Sequence, residues 1–595
     1  MQNLKKILDF LNIEEKKQAA LLLILILCMA LLDVMGIASI LPFIAVLSNP
    51  ELIETNTVLN YFYQVSSILG VGSNKQFLLV LGMAVFLFLI ISLIVRSFTA
   101  YAQVRFALMR EYSIGARLIK GYLHHPYVWF LNRNSADIDK VILSGVSEII
   151  HETIIPAINL IAHSVITLTI LTLLLVVDYK LALVVLLVFA ISYGSIFFFT
   201  KNVLSKMGSD RLQANQDRFV AVSEAFGAIK EVKVGRLEKV YIDRFSKPAQ
   251  IYASRQSIAT AIAAVPRYFI EGIAFGGMII LILVLMMRGD MFSSILPIIA
   301  LYVFAGYRLM PSLQQVFAAF TQLSFSRAAL DSIHKDLMNL SFSEKIPNTT
   351  TNIQLTKSIA LNNVSFDYPN SKRPSLKNIN LSIPAFKKVG IVGPTGSGKT
   401  TLVDLILGLL DPKQGTFLVN GNIITNNNKR SWQKIIGYVP QQTYLVDDSI
   451  AANIAFGIDL KNINNQEVER AAKIANLHDF VTNELENNYE TIVGERGVRL
   501  SGGQRQRIAI ARALYHKPQV LILDEATSAL DGFTEQGIME AINNLGNKIT
   551  TILVTHRLST VKNCDIIFVL EQGELKGQGT YEELNQSSTL FQKLS

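Results

Sequence analysis

The sequence predicts a helical membrane domain with six spans, followed by an α/β domain that binds phosphate groups. Long apolar runs are confined to about the first 330 residues. Short strand-like runs alternate with helical segments after residue 358, which is the layout of an α/β domain. A glycine-rich segment in this second part follows an apolar strand and leads into a helix, as a phosphate-binding loop does.

The composition agrees with a protein that is partly embedded in lipid. Half of the 595 residues are hydrophobic and 17% are charged, and the mean hydropathy is +0.36. Because soluble domains carry about 25% charged residues, this composition excludes a disordered chain and argues against a purely soluble enzyme. Two cysteines, Cys28 and Cys564, exclude a disulfide framework and a cysteine-based zinc site. We interpret both as small buried apolar residues.

Each of six apolar runs is close to the ~20 residues needed to cross a hydrocarbon core of ~30 Å. The first run is too long for a signal peptide, and no small-residue cleavage pattern follows it. Six spans place both ends of the domain on the same side of the membrane. The predicted spans are 19–47, 76–95, 154–177, 181–200, 269–287 and 293–310.

The charges that flank the spans predict the orientation of the domain. The stretches 96–140 and 201–267 are rich in Lys and Arg, whereas the opposite loops carry only Lys75, Lys180 and Arg288. Positive charge is retained on the cytoplasmic side, so we expect both termini and the α/β domain in the cytoplasm. The net charge of +9 is then a topology signal. A nucleic-acid partner is disfavoured because the basic residues form no recognisable reading module.

Four other segments have patterns that suggest a role. Residues 1–17, with lysines among apolar residues, are typical of an interfacial amphipathic helix. The long inner stretches are interpreted as helices that continue past the membrane. Their apolar segments 126–130 and 225–229 either contact a partner or pack on their own helices. Residues 341–358 are rich in Ser, Thr and Asn, which predicts a linker between domains at 1–340 and 359–595.

The segment that begins at Gly393 fits the pattern GxxxxGK[ST] directly after the strand-like run 388–392. Its glycines let backbone N–H groups surround phosphates, and the following helix N-terminus adds partial positive charge. We expect Lys399 to reach the β- and γ-phosphates of ATP and Thr400 to bind Mg²⁺. The predicted nucleotide-binding residues here are Gly393, Pro394, Thr395, Gly396, Ser397, Gly398, Lys399, Thr400 and Thr401.

A second strand-like run, 520–523, ends in Asp524 and Glu525. An acidic pair at a strand end is common by itself, but here it lies downstream of a phosphate-binding loop. Asp524 is the expected Mg²⁺ ligand, directly or through water. Glu525 is the candidate general base that orients the attacking water.

The pentapeptide Leu500-Ser-Gly-Gly-Gln504 lies between these two motifs. An N-capped helix would explain it when taken alone. The order of the three motifs, however, resembles that of the ABC ATPases. In that family Ser501, Gly502, Gly503 and Gln504 would form the signature that opposes the phosphate-binding loop of a second subunit. The resemblance therefore implies a symmetric homodimer with two competent ATP sites.

The same resemblance implies roles for four other residues. Tyr368 matches the aromatic residue that stacks on adenine, and Asp531 matches the position that communicates across the dimer. Gln441 matches the glutamine that senses Mg²⁺, although Gln442 follows it directly and leaves an ambiguity of one residue. His556 matches the switch histidine that contacts the γ-phosphate.

The resemblance also implies how the two halves work together. An exporter-type membrane domain with six spans would alternate between inward- and outward-facing states as ATP joins the two ATPase domains and hydrolysis releases them. The segments 126–130 and 225–229 would be coupling helices that sit on the ATPase domains. Glu495 matches the element that contacts such helices.

Three arginines within or near the spans, Arg96, Arg267 and Arg308, bear on the cargo. A charge at the bilayer centre costs about 2.5–3.5 kcal/mol on insertion scales and marks a cavity by default. Arginines that snorkel to the inner interface are the alternative explanation. In a homodimer the three become six, which would form a cavity that attracts anions such as a pyrophosphate.

Residues 263–272 and 307–312 resemble the bacterial lipid-linked oligosaccharide flippases of protein N-glycosylation. That resemblance implies an inner-membrane flippase that moves a polyprenyl-pyrophosphate-linked glycan to the outer leaflet. The three arginines would engage the pyrophosphate. A short external helix at about 54–70 would contact the lipid tail, or else pack on the spans as an amphipathic loop. Export of lipid A, a peptide or a hydrophobic drug is the alternative, and a non-transport regulator of a membrane partner is a third hypothesis.

Overall fold

The computed structural model describes residues 2–67, 71, 73–131, 133, 138–177, 179–287, 292–339, 353–369, 371, 373–526, 532–544 and 549–593. The chain divides into two compact units. One consists of Met1–His125 and Arg133–Phe342, and the other of Pro126–Asn132 and Ser343–Ser595.

The first part of the chain is entirely helical where it is described. Apolar runs account for its long helices, and turns or prolines separate them. In chain order the helices are α1 (Gln2–Asp9), α2 (Ile13–Ala38), α3 (Ile40–Ser48), α4 (Leu52–Thr55), α5 (Thr57–Ser67), α6 (Asn74–Leu123), α7 (Tyr127–Leu131), α8 (Lys140–Val177), α9 (Tyr179–Gly227), α10 (Ile229–Val234), α11 (Glu238–Ala264), α12 (Pro266–Met287), α13 (Phe292–Phe325) and α14 (Arg327–Asn339).

Helices lie at all six positions where spans are predicted. Within the described residues, four helical segments are long and apolar enough to cross a membrane: Ile13–Ser48, Asn74–Leu123, Lys140–Val177 and Ala182–Gly227. The fifth and sixth predicted spans coincide with α12 and α13, for which many side chains lie outside the described residues. The polar inner stretches are confirmed as helical, because α6 and α9 run far beyond their apolar parts.

A buried arginine ties the polar extensions of these helices together. Arg211 on α9 is 1% exposed and forms ion pairs with Glu148 and Glu152 on α8. Its Nη1 also donates to Oε1 of Gln256 on α11 at 2.8 Å. The guanidinium lies 4.6 Å from the ring centroid of Phe325 at the end of α13. Four helices are therefore held by one buried cation, and its removal would leave two partly buried carboxylates without a counter-ion.

The N-terminal segment 1–17 contains the helix α1, and part of its apolar face packs against protein. Phe10, just after α1, is fully buried and packs edge-on against the His334 ring of α14, whereas Leu8 and Ile13 are 50% and 78% exposed. Lys6 pairs with Asp331 of the same helix at 2.6 Å. An amphipathic pattern specifies an apolar face but not what covers it, and here α14 covers part of that face.

The interpretation of both cysteines as buried is wrong for one of them. Cys564 is buried, whereas Cys28 is exposed on α2. The same helix also exposes Ile24, Leu27 and Leu31. In a membrane span an apolar side chain can face lipid, so burial inside the protein is not required.

The second unit contains two sheets that share one domain. In chain order the strands are β1 (Ser358–Phe366), β2 (Leu376–Pro384), β3 (Lys388–Val392), β4 (Gln414–Val419), β5 (Asn422–Ile423), β6 (Ile436–Val439), β7 (Val520–Asp524), β8 (Thr550–Val554), β9 (Ile566–Glu571) and β10 (Glu574–Gly579). One sheet is antiparallel with the order β2-β1-β4-β5. The other has the order β10-β9-β3-β8-β7-β6, in which all pairs except β9–β10 are parallel.

Helices pack against the mostly parallel sheet and complete the domain. They are α15 (Lys399–Ile406), α16 (Lys429–Gln433), α17 (Ile450–Ile454), α18 (Asn465–Ile474), α19 (His478–Asn483), α20 (Gly502–Tyr515), α21 (Gly532–Asn544), α22 (Leu558–Val561), α23 (Tyr581–Ser587) and α24 (Thr589–Lys593). Leu355, within the predicted linker 341–358, is already buried in this core. Residues 341–352 of the linker lie outside the described residues.

We predict that Arg211→Ala destabilises the protein by about 3–5 kcal/mol, because two partly buried carboxylates lose their buried counter-ion. The thermal unfolding midpoint of the full-length protein in detergent should fall by several degrees. Arg244→Ala is the matched control, since Arg244 pairs with Glu224 at 2.8 Å but both side chains are about half exposed. Such an exposed pair contributes about 0–1 kcal/mol, so equal losses in the two variants would contradict a structural role for the Arg211 cluster.

Candidate functional site

The predicted ATPase residues converge because four neighbouring strands are parallel. The phosphate-binding loop follows β3, Gln441 follows β6, Asp524 ends β7 and His556 follows β8. Carboxyl ends of parallel strands lie at the same edge of a sheet, which is where ligands bind in open α/β folds. Residues that are far apart in the sequence therefore meet at one edge.

The shape of the phosphate-binding loop depends on glycine. Gly398 has a φ of +102°, and a Cβ there would lie 2.9 Å from the carbonyl oxygen of Ser375. Only glycine adopts such a backbone without strain. α15 starts directly after it, at Lys399. The loop therefore delivers a helix N-terminus, with its partial positive charge, to the edge of the sheet.

Lys399 lies across the phosphate-binding loop. Its Nζ donates to the carbonyl oxygens of Gly393 at 2.8 Å and Pro394 at 3.0 Å. Burial lowers the pKa of this ammonium, while the carboxylates of Glu525 and Asp524 act in the opposite direction. Both predicted acidic residues are therefore close enough to Lys399 for their negative charges to stabilise its charged form.

Ser397 and Thr400 differ in their surroundings. The Ser397 hydroxyl is buried, and no hydrogen-bond partner for it exists among the described residues. Thr400, at the first turn of α15, is exposed. A buried hydroxyl with no partner in a loop of this shape fits a phosphate group, since buried polar atoms are normally paired.

Glu525 lies between the other two predicted catalytic residues. Gln441 Nε2 donates to Glu525 Oε2 at 2.6 Å, and His556 Nδ1 is 3.3 Å from Oε1. Glu525 has a φ of 48°, a left-handed conformation that costs a non-glycine residue on the order of 1–3 kcal/mol. In the ambiguous pair of glutamines, the residue that contacts Glu525 is Gln441 rather than Gln442.

Tyr438 and Asp404, which the sequence analysis did not predict, lie beside the predicted Mg²⁺ ligand Asp524. Asp524 is buried, and burial together with the Glu525 charge raises its pKa, whereas Tyr438 of β6 lowers it through a hydrogen bond. Asp404 on α15 is also buried, and burial and repulsion from Asp524 raise its pKa to about 6. The sequence contains one feature that could have pointed to Asp404: it is the only acidic residue in the apolar run that follows Thr400.

Tyr368 lies next to the start of α15. Its hydroxyl is 3.2 Å from Thr401 Oγ1, and its ring packs edge-on against Phe366 with centroids 5.1 Å apart. Burial raises the pKa of this tyrosine. The predicted adenine-stacking residue is therefore held close to the phosphate-binding loop.

The signature segment is engaged in its own helix cap. Ser501 Oγ accepts a hydrogen bond from Gln504 N at 3.2 Å, and Gln504 Oε1 accepts one from Ser501 N at 2.7 Å. This capping box starts α20. No hydrogen bond or ion pair among the described side chains joins Ser501–Gln504 to the phosphate-binding loop of the same chain. Asp531 lies outside the described residues, and Glu495 is exposed in the turn Glu495–Gly497.

The predicted coupling segments have different surroundings. α7, which covers most of 126–130, belongs to the same unit as the ATPase fold, and Val128 packs against its core. Burial and the nearby Asp404 and Tyr368 raise the pKa of Tyr127, so α7 lies near the nucleotide site. The segment 225–229 forms the break between α9 and α10. Phe226 and Ile229 there are exposed in this chain.

The three predicted substrate arginines fall into two groups. Arg308 Nη2 lies 3.9 Å from Asp33 Oδ1, and Arg96 also acts electrostatically on Asp33. Arg267 instead pairs with Glu271, with 2.5 Å between Nε and Oε1, and its side chain is 52% exposed. The arginines therefore have carboxylate neighbours that the cavity hypothesis did not include.

Two adjoining cavities lie among α8, α9, α12 and α13. The larger, about 380 Å³, is apolar and aromatic, and the smaller, about 70 Å³, contains Arg267, Glu271 and Gln314. Tyr193 of α9 lines both. An apolar space thus meets a charged one inside the membrane domain.

Comparison with known proteins gives consistent matches for both halves. Residues 376–528 match the ABC transporter family, and residues 54–302 match the ABC transporter transmembrane region. An ATP-dependent lipid A-core flippase of Cupriavidus pinatubonensis is 30% identical over 476 residues, which is 79% of each chain.

Two other relatives are matched over part of their length. ABC transporter B family member 14 of Arabidopsis thaliana is 44% identical over 42% of this chain, and the match spans 20% of that protein. The leukotoxin translocation ATP-binding protein LktB of Mannheimia haemolytica is 35% identical over 66% of this chain and 54% of its own.

One solved structure, a bacterial Atm1-family ABC exporter with ATP bound, superposes with a TM-score of 0.76 at 24% identity. The match covers 97% of this chain and 98% of that one. It shows the exporter-type fold, a helical membrane domain fused to an α/β ATPase domain, which confirms the fold class predicted from the sequence.

We predict that Asp404→Asn stabilises the ATPase domain in a pH-dependent way. The folded-state pKa of about 6 exceeds the unfolded value of about 3.9, so ionised Asp404 destabilises the fold above pH 6 and this cost fades as pH falls toward 4. Thermal unfolding of the full-length protein should show a higher midpoint for the variant at pH 8 and a smaller difference at pH 5. Asp411→Asn is the control, because Asp411 follows α15 shortly in the sequence and its side chain is 65% exposed. A difference that grows as pH falls would contradict this assignment.

Proposed function

Because this chain belongs to the ABC transporter family and is an ATP-hydrolysing exporter, we propose that it flips a lipid-linked, pyrophosphate-bearing oligosaccharide. The glycan headgroup would pass through the membrane domain while the lipid chain stays in the bilayer. We place the protein in a bacterial inner membrane as a multi-pass protein, with its ATPase domain and both termini in the cytoplasm. The observation that carries the cargo assignment is Arg267, which lines a small charged cavity that adjoins an apolar one in the membrane domain.

The functional unit in this proposal is a homodimer. Each chain contributes one phosphate-binding loop and one signature segment, and the signature makes no polar contact with its own loop among the described residues. Two-fold symmetry would pair each loop with the partner's signature and create two equivalent sites. Asp531 is the proposed contact across that interface.

ATP and Mg²⁺ fit the donors present at the edge of the sheet. The buried Ser397 hydroxyl, the backbone from Gly393 to Thr401 and the Lys399 ammonium would hold the phosphates, with Tyr368 against adenine. Thr400, Gln441 and Asp524 supply oxygen atoms, the ligand type that Mg²⁺ prefers. The cation would neutralise charge that develops on the phosphates.

Glu525 is the proposed general base. Gln441 and His556 hold its two carboxylate oxygens, so the side chain is fixed before a water molecule is deprotonated. Fixed donors and acceptors need no reorganisation during the reaction. His556 would also contact the γ-phosphate, which would link the base to the bound nucleotide.

Movement would reach the membrane domain through α7 and the 225–229 segment. Tyr127 of α7 lies near Tyr368 and Asp404, so a change at the nucleotide site alters the surroundings of this helix. The exposed Phe226 and Ile229 are suited to contact the partner's ATPase domain. Such coupling would drive alternating access.

The helix α5, outside the ATPase domain, also supports a lipid-linked cargo. The external helix α5 exposes an apolar stripe of Val58, Phe62 and Val65, which are 63%, 55% and 44% exposed, while Leu59 faces inward. Exposed apolar side chains at this spacing suit contact with an acyl or prenyl chain. Ile68 and Leu69 continue the helical spacing of this stripe in the sequence but lie outside the described residues.

Export of lipid A is the second candidate. A lipid A-core flippase is among the relatives, and lipid A also carries phosphate groups, so arginines would suit both cargoes. A peptide or a hydrophobic drug would use the apolar cavity without needing the arginines. A non-transport role predicts ATP hydrolysis without movement of any lipid.

We predict that Glu525→Gln lowers ATP turnover by about 10²–10⁴-fold while ATP binding is retained, because the variant keeps the shape of the side chain but cannot accept a proton. Steady-state phosphate release and nucleotide binding to the purified full-length protein would measure the two effects. Glu582→Gln, a change of the same type at an exposed position of α23, should leave both unchanged. Retained hydrolysis in the Glu525 variant would remove this residue from the role of base.

In proteoliposomes we expect a polyprenyl-pyrophosphate-linked glycan to stimulate ATPase activity and to be flipped. Lipid A and the dephosphorylated polyprenyl glycan should do neither. Arg267→Ala should reduce flipping at least about tenfold, since a charge-assisted contact contributes about 1.5–3 kcal/mol. Arg244→Ala, in the exposed pair with Glu224, is the control. Stimulation by lipid A alone would favour the second candidate.

A further inference from the structure

A carboxylate lies inside the membrane domain and has no place in the ATPase cycle. Asp33 is on α2, within the apolar run of the first span, and is buried. Its Oδ1 accepts a hydrogen bond from Ser92 on α6 and lies 3.9 Å from Arg308 Nη2 on α13. Its Oδ2 is buried and has no hydrogen-bond partner among the described residues.

The surroundings of Asp33 are otherwise positive or apolar. Arg96, one turn after Ser92 on α6, acts electrostatically on Asp33 and on His163 of α8. Four helices thus contribute one acid, two arginines and a histidine. Apolar residues of α2, α8 and α13 pack around this level of the bundle. In such surroundings an isolated charge is costly, so Asp33 offsets one arginine and leaves an excess of positive charge.

The contact between Asp33 and Arg308 is electrostatic rather than a hydrogen bond. At 3.9 Å the two atoms exceed the usual donor–acceptor distance of about 2.7–3.2 Å. The carboxylate is 1% exposed, whereas the Arg308 side chain is 18% exposed. No hydrogen bond from the guanidinium to an acceptor is found among the described residues, so its fork of donors remains able to bind a second anion.

We propose that Asp33 is the resident counter-ion of Arg308 and that the anionic headgroup of the cargo must replace it to bind. This inference rests on the function proposed above, because it assumes a cargo that carries phosphate. Asp33 would then determine how much negative charge a headgroup must carry in order to bind Arg308. A pyrophosphate competes with a buried carboxylate better than a monophosphate does. Asp33 is thus a specificity-determining residue, and it makes no contact with the cargo itself.

The pairing of Asp33 with Arg308 affects how the variant Arg308→Ala is interpreted. Arg308→Ala removes a cargo contact and at the same time leaves Asp33 buried without its partner, which is itself destabilising. Loss of flipping in that variant has two explanations. The double variant Asp33→Asn/Arg308→Ala separates them, because it removes both charges.

The test uses the full-length protein in proteoliposomes, with the same glycan on a polyprenyl pyrophosphate or a polyprenyl monophosphate. For Asp33→Asn we expect the half-maximal concentration for ATPase stimulation to fall about tenfold for the monophosphate lipid, which is the effect of 1.4 kcal/mol. The preference for pyrophosphate should shrink accordingly. Asp210→Asn, in a partly exposed pair with Arg255 at 3.2 Å, is the matched control. Unchanged concentrations and preference in Asp33→Asn would overturn the proposal.

Thermal unfolding provides an independent measurement of the pairing. Arg308→Ala should lower the unfolding midpoint, and the double variant should recover most of that loss without recovering stimulation. A double variant that is no more stable than Arg308→Ala would contradict the pairing. If Asp33→Asn fails to fold, Ser92→Ala, which removes the hydroxyl that holds Oδ1, should shift the lipid preference in the same direction. If neither phosphorylated lipid stimulates the unaltered protein, the proposed function fails, whereas the unfolding data still decide the pairing.

Discussion

A charge that leaves water must keep an opposite charge nearby, and this requirement shapes both halves of the chain. In the helical extensions, Arg211 is enclosed with Glu148 and Glu152, and these contacts set how α8 and α9 approach each other. In the ATPase site the Lys399 ammonium shares its surroundings with Asp524 and Glu525. Both clusters are expensive to bury and therefore tolerate little rearrangement unless a ligand supplies compensating charge.

The parallel sheet brings the charged residues of the ATPase site together. Since β3, β6, β7 and β8 end at one edge, the loop, the acids and the histidine assemble there without any long connecting loop. The left-handed backbone of Glu525 aims its carboxylate between Gln441 and His556. Strain at one residue is sustained because the buried strand before it is held on both sides.

Sequence patterns predicted what depends on neighbouring residues along the chain. The phosphate-binding loop needs glycine at defined positions, and the spans need about 20 apolar residues, so both were recognisable without a structure. Asp404, Tyr438 and Asp33 were not assigned, because their importance arises from residues brought near by folding. The partner of α1 was missed for a related reason: amphipathicity specifies a face, while α14 is supplied by tertiary structure.

The position of α7 has a consequence for how the protein is made. This helix, at Tyr127–Leu131, completes the packing of a fold whose other residues begin at 343. During synthesis it is translated well before that fold exists, so its apolar side chains must stay uncovered while the remaining spans are inserted. Contacts between segments so far apart in the sequence slow folding, although the entropy of closing the loop between them rises only slowly with its length. The packing around Val128 can therefore form only after the chain that follows the membrane domain has been synthesised.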